Sequence, residues 1–143
     1  MLEKIDADLL AAMKSGESLK RDTLRMLKSA LKNFQIEKGS ELTDEETVSV
    51  IQKEVKRRKE SIVAYEAAQK PDLVAAEQEE MAILSTYLPK QMSDEEIRQE
   101  VTSYLEEHPT APDKAGQAMG ALSARLKGKA DMGKVSQILR ESL

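Results

Sequence analysis

Apolar residues recur along most of this chain at alternating steps of three and four, the period of one face of an α-helix. Leu2, Ile5, Leu9 and Met13 mark a first helix ending at Gly16. Leu24, Leu27, Leu31 and Phe34 mark a second, running to a C-terminal cap at Gly39. Thr43 with Glu46 three residues on predicts a capping box, in which each side chain satisfies the other's free backbone N–H. The helix it opens has a stripe of Val48, Ile51, Val55, Ile62 and Tyr65. Pro71 pre-sets a fourth helix with Leu73, Ala76, Met81, Leu84 and Leu88, and Pro89 stops it. Ser93 with Glu96 repeats the capping box ahead of Ile97, Val101 and Leu105. A loop from His108 to Asp113 holds two prolines. Beyond it, Met119, Leu122 and Leu126, then Val135, Ile138 and Leu139, mark two short helices separated near Gly128 to Asp131. Neither is long enough to be stable alone.

The expected fold is therefore all-α, with seven helices and no segment that alternates long enough for a strand. The helix-stopping proline and fresh cap at Pro89 to Ser93 predict a four-helix, bundle-like N-terminal subdomain over residues 1–92 and a smaller three-helix C-terminal subdomain over residues 93–143. One position breaks the stripe of helix three. Arg58 stands where an apolar residue belongs, either laying its aliphatic stem along the core edge with its head in water, the favoured reading, or pairing with a carboxylate. Residues 119–126 and 132–139 echo each other, as two amphipathic helices built from the same few residues often do.

Composition narrows the function. The chain has 143 residues, 22 Lys and Arg against 26 Asp and Glu, and a net charge of −4, so no overall positive field draws it to nucleic acid or anionic lipid. Zero Cys excludes disulfides and thiolate chemistry, and a single His excludes two-His metal motifs. The longest apolar run, Leu9 to Met13, falls far short of the roughly 20 residues that span a bilayer. Glu3, Asp6 and Asp8 beside Lys4 are unlike the basic flank of a secretion signal, so the expectation is a soluble, cytoplasmic protein without a membrane partner.

Catalytic residues are not predicted. His108 sits in a loop before Pro109, with no neighbouring Ser or carboxylate to make a triad. The paired carboxylates Glu45-Glu46, Glu79-Glu80, Glu95-Glu96 and Glu106-Glu107 read as solvated or dipole-complementing charge. No calcium-loop spacing and no phosphate-cradling glycine loop occurs, so neither a metal nor a cofactor is expected.

The distribution of charge says more than its total. Residues 93–113 carry a net −6, whereas residues 114–143 carry +4. Lys114, Arg125, Lys127, Lys129, Lys134 and Arg140 are the candidate RNA-binding residues, with Arg125, Lys127 and Lys129 straddling the Gly128 turn. There, N–H groups of the following helix can add to a phosphate site, although cations near a helix end also simply complement its dipole. The run Lys56-Arg57-Arg58-Lys59 is offset by i, i+4 pairs of Glu54 with Arg58 and Lys56 with Glu60. Four aromatics, Phe34, Tyr65, Tyr87 and Tyr104, are committed to helix stripes or their edges, so base stacking on single strands is disfavoured against recognition of a folded backbone.

Several segments in this order resemble the GatB/YqeY family, most closely its small stand-alone YqeY-like members. They are Arg25-Met26-Leu27-Lys28-Ser29-Ala30-Leu31-Lys32-Asn33, Lys53-Glu54 with Arg58-Lys59-Glu60-Ser61, and Tyr65 followed by Pro71-Asp72-Leu73. Tyr87-Leu88-Pro89-Lys90-Gln91 leading into Ser93-Asp94-Glu95-Glu96, then Met119-Gly120 and Lys127-Gly128-Lys129-Ala130-Asp131, complete the set. The resemblance implies an all-helical protein with a smaller three-helix C-terminal part. In the B subunit of the glutamine-dependent amidotransferase, which amidates misacylated Glu-tRNA or Asp-tRNA, a similar region forms a C-terminal tail that contacts tRNA. The catalytic body of that subunit and the amidase machinery have no counterpart here. Gln117 and Ser136 depart from the family's wording, where a lysine and an asparagine are common.

The leading expectation is an accessory module without a self-contained active site, binding tRNA and related to glutamine-dependent carbon-nitrogen ligation. Its implied partners are tRNA and amidotransferase subunits or an aminoacyl-tRNA synthetase complex. The alternative is a helical protein-interaction scaffold that does not bind RNA. Oligomeric state is not legible.

Overall fold

The computed structural model describes residues 1–143, and it is built of helices alone. Seven α-helices follow in order: α1 (Leu2–Ser15), α2 (Ser18–Lys38), α3 (Asp44–Ala67), α4 (Pro71–Ser85), α5 (Asp94–Glu107), α6 (Ala115–Leu126) and α7 (Met132–Ser142). A short 3-10 turn at Pro112–Lys114, unforeseen in the residue pattern, leads into α6.

Local chemistry sets the ends. Gly16 and Gly39 adopt left-handed conformations, φ 76° and 77°, and their N–H groups close on Ala12 and Gln35 carbonyls, a geometry that costs a Cβ-bearing residue more. Both capping boxes form. Thr43 Oγ1 accepts the Glu46 N–H at 3.1 Å while Glu46 Oε1 accepts the Thr43 N–H at 3.0 Å. Ser93 and Glu96 repeat the exchange at 3.2 Å each way. Lys38 reaches the same Glu46 carboxylate. Its hydrogen bond, with the Thr43 N–H, holds the Glu46 pKa at about 2. Gln69, at φ 56°, supplies the left-handed turn that closes α3 without a glycine.

The chain divides into two compact units, Met1–Leu88 and Pro89–Leu143. In the first, α1 to α4 close over Ile5, Leu24, Leu27, Leu31, Ile51 and Leu84. Tyr87 is buried at the end of this unit and donates its hydroxyl to Asp8 Oδ2 of α1 at 2.6 Å. Burial and that carboxylate together push the Tyr87 pKa up. In the second unit, Ile97, Val101 and Tyr104 of α5 pack with Ala118, Leu122 and Leu126 of α6 and Val135, Ile138 and Leu139 of α7. Residues 89–92 belong to this unit, where the Met92 N–H donates to the Lys129 carbonyl at 2.8 Å.

Three expectations about side chains are corrected. Leu73, placed on the stripe of α4, is 42% exposed, and Met13, placed on that of α1, is 47% exposed, because the first turn of α4 and the last turn of α1 reach past the core. Arg58 does not snorkel. It is 7% exposed and faces carboxylates from α3 and α4, because the inner face of α4 presents acids where an apolar stem would need greasy neighbours.

Candidate nucleic-acid interface

The predicted cations lie in the second unit, and two of them pair with α5. Lys134, in the first turn of α7, pairs with Asp94 at 3.3 Å at the start of α5. Arg125, near the end of α6, pairs with Glu107 at 3.9 Å at the end of α5 and sits 5.5 Å from the Tyr104 ring centroid. Asp94 and Glu107 are separated by about 20 Å along the helix axis. The two cations therefore occupy opposite ends of one acidic helix, and all six do not form a single knob.

Lys127 and Lys129 do stand together. Between them Gly128, at φ 79°, turns the chain, and the turn is held from both sides. Gln91 Nε2 donates to the Gly128 carbonyl at 2.9 Å, and the Lys129 N–H donates to the Leu126 carbonyl at 2.9 Å. Both lysine side chains are exposed. The α7 N-terminus next to them is already capped: Asp131 Oδ1 accepts the Gly133 N–H at 2.9 Å. That occupied cap removes part of the phosphate site expected at the turn, since the helix's free donors are fewer. Lys114 lies at the end of the 3-10 turn and Arg140 in the last turn of α7, both exposed and without an ion pair. Arg98, between the cations on α5, pairs with Glu141 at 3.8 Å. Across residues 89–143 eight cations face nine carboxylates, so the local excess over residues 114–143 is cancelled by the helix it packs on.

Arginine and carboxylate chemistry of a different kind lies in the first unit: the expected i, i+4 pair of Glu54 with Arg58 forms, and its extension to Glu77 and Glu80 of α4 was missed in the residue pattern. Arg58 Nε is 3.0 Å from Glu80 Oε2 and 3.5 Å from Glu77 Oε2, and Nη1 is 3.7 Å from Glu54 Oε2. Nη2 points at Met26 Sδ of α2, 3.9 Å away. Neither Arg58 Nε nor Glu77 Oε2 has an aligned hydrogen-bond partner, so the cluster is held by charge more than by directed bonds. Desolvation, with Glu77 alongside and Arg58 opposing, raises the Glu80 pKa. Glu79-Glu80, read as solvated charge, is thus corrected: Glu80 is drawn inward. The signal was present in the break of the α3 stripe at Arg58 and in the i, i+3 spacing of Glu77 and Glu80.

Little here can do chemistry. His108 stacks on Tyr104 at 4.6 Å between ring centroids, tilted by 18°, with no nucleophile beside it. An open trough of about 300 Å³ at the α3–α4 corner is lined by Glu66, Lys70, Gln69, Gln78 and apolar residues, and offers neither a nucleophile nor a convergent acid pair. No three His, Asp or Glu groups converge to hold a metal, and no helix is long and apolar enough to cross a membrane.

Comparison with known proteins is consistent across the chain. A protein of Pyrenophora tritici-repentis named altered inheritance of mitochondria protein 41, mitochondrial, is 31% identical over 145 residues, covering 99% of this chain and 80% of the relative. The protein of that name from Clavispora lusitaniae is 31% identical over 109 residues, 75% of this chain and 64% of the relative. That of Vanderwaltozyma polyspora is 33% identical over 101 residues, 68% and 55% respectively. In the second and third the shared part is less than two thirds of the relative's length. These names correct the cytoplasmic expectation, because the curated relatives are mitochondrial proteins. The physical reason is simple: charge at residues 3–8 and the lack of a spanning run speak to secretion and bilayer insertion, not to which aqueous compartment holds a helical domain. The family described as Yqey-like protein matches residues 2–143, and this chain belongs to that family.

Proposed function

We propose that the chain is a non-catalytic accessory module that engages tRNA through its phosphate backbone, within an amidotransferase or aminoacyl-tRNA synthetase assembly, in the mitochondrial setting for which its relatives are named. The observation that carries this reading is the braced turn at Gly128. It presents Lys127 and Lys129 outward on a backbone already fixed by Gln91 and Met92, so little ordering is needed when a phosphate docks. Lys134 and Arg125 flank the turn on either side through weak, exposed ion pairs that a polyanion can displace. Lys114 and Arg140, both exposed, serve as further contacts. About four phosphate contacts predict a log-log salt slope of roughly −3 to −4. Titration of labelled tRNA should show that slope, and replacing Arg125, Lys127 and Lys129 by Ala should flatten it by roughly two. Superimposable curves for the two proteins would remove the turn from the account.

A second reading, an interaction scaffold that ignores RNA, is favoured by the exposed apolar residues Leu10 and Met13 of α1 and Val63 of α3. Pull-down with and without nuclease separates the two. Partners retained unchanged after digestion, and by the triple alanine variant, support the scaffold.

A further inference from the structure

Helix α2 carries a row of cations that the turn at Gly128 leaves unexplained. Arg21, Arg25, Lys28 and Lys32 recur at i, i+4, i+7 and i+11, which puts them on one edge of the helix over about 16 Å, in steps of roughly 4.5 to 6 Å. In a chain with more acids than bases, residues 23–36 contain three cations and no carboxylate. About a quarter turn around the same helix Leu24, Leu27 and Leu31 are buried, so the row is fixed in direction by the core. Lys28 meets Asp6 of α1 at 2.8 Å and Arg21 meets its neighbour Asp22 at 3.0 Å. Arg25 and Lys32 are exposed and have no ion pair. Beside them, also exposed, stand Ser29 and Asn33, short side chains that donate hydrogen bonds to phosphate oxygens.

We infer that this edge of α2 is a phosphate-backbone contact surface for folded RNA, with Arg25 and Lys32 as its principal cations; the inference rests on the RNA reading above and adds a second contact surface to it. A membrane surface is a poorer fit, since a helix lying in lipid pairs its cations with a continuous outward apolar face, and α2 exposes only Met26 and Ile36, its leucines Leu24, Leu27 and Leu31 being in the core. The cations of α3 make the useful contrast. Lys56 and Lys59 are exposed too, but the exposed Glu60 directly adjoins them.

The test is a titration of labelled tRNA between 50 and 200 mM salt with five proteins: wild type, R25E/K32E, K127E/K129E, K56E/K59E and the conservative R25K/K32R, each checked for an unchanged helical melt. The three glutamate double variants carry the same change in net charge, so a general field effect weakens all of them equally. The expected result is a tenfold or greater loss for R25E/K32E at the lowest salt, a slope shallower by roughly one to two, little loss for K56E/K59E, and near wild-type affinity for R25K/K32R. Wild-type affinity in R25E/K32E while K127E/K129E fails overturns this inference and leaves the turn standing. Equal losses in R25E/K32E and K56E/K59E overturn it as well. If wild type itself does not bind tRNA at the lowest salt, both readings fall. If R25E/K32E releases anionic phosphatidylserine vesicles but not tRNA, the surface belongs to lipid and the RNA assignment is wrong.

Discussion

The two units of this chain treat charge in opposite ways. Residues 1–88 bury ions: Glu54 and Arg58 are each 7% exposed, and Glu77 and Glu80 close the cluster from α4. Residues 89–143 bury apolar side chains only, and their ion pairs, such as Asp94 with Lys134, lie in solvent. The lesson concerns how charge is used. Ions inside the first unit have lost water, so removing one partner strands the others. In the second unit the same residue types are free to exchange partners, which suits a surface that must meet a polyanion.

The sharpest way to break this comparison is Arg58→Ala, which leaves three carboxylates without their guanidinium. Urea unfolding, with hydrogen exchange to separate the units, should show the first unit losing about 3–5 kcal/mol and the second unchanged. A triple replacement of Arg58 by Met and of Glu77 and Glu80 by Leu should recover most of that loss, because the one carboxylate left, Glu54, is still reached by Arg57 at 3.5 Å. A loss below about 1 kcal/mol in the single variant would mean the cluster is solvated after all.

In the second unit the largest effect belongs to an apolar residue. Leu122→Ala, at a fully buried position of α6, should cost about 3 kcal/mol through lost burial and the cavity left behind. Neutralising Lys134 or Asp94 there should stay within about 0.5 kcal/mol. Between these two lie the helix starts: Thr43→Ala and Ser93→Ala should each cost about 1 kcal/mol, one in each unit, since both remove the same kind of cap. Gln69→Gly should stabilise the first unit by about 0.5–1 kcal/mol by relieving its left-handed backbone, read as a raised urea midpoint.

Two titrations of opposite sign sharpen the comparison at its smallest scale. The Glu46 pKa is lowered from an ordinary 4.5 to about 2 by Lys38 and the Thr43 cap, so its contribution is present above 4.5 and is lost as pH falls toward 2. The Glu80 pKa is raised by burial and by Glu77, so its contribution is present below the ordinary carboxylate value and is lost as pH rises through the raised one. Urea midpoints from pH 2 to 7 should therefore lose their acid-side fall in Glu46→Gln and their rise toward acid in Glu80→Gln. Unchanged profiles in both variants would detach these groups from folding.

The seven helices and most of their ends were legible because each rests on local chemistry. The exception is α4, which ends at Ser85, before the Leu88 and Pro89 expected to finish it, because Thr86 to Leu88 close instead in tight turns on Ile83, Leu84 and Ser85. A capping box at Thr43 or Ser93 and a proline at position 71 act within a few residues, and apolar spacing fixes which face turns inward. The candidate site was legible only in part. Lys127 and Lys129 adjoin in the chain and remain adjacent in space, whereas Arg125 and Lys134, close in the chain, are drawn apart by Glu107 and Asp94. Arg58 shows the same limit from inside: the break in its stripe was visible, but its partners on α4 were not.

What the sequence determines by itself is the all-helical architecture, the family and the residues that face inward, since helix periodicity and capping depend on neighbours one turn away. The tertiary structure alone decides which charges meet. Coulomb energy depends on distance and on how much water lies between, and both are set by helices packing across tens of residues, as Arg58 with Glu77 and Glu80, and Lys134 with Asp94, show.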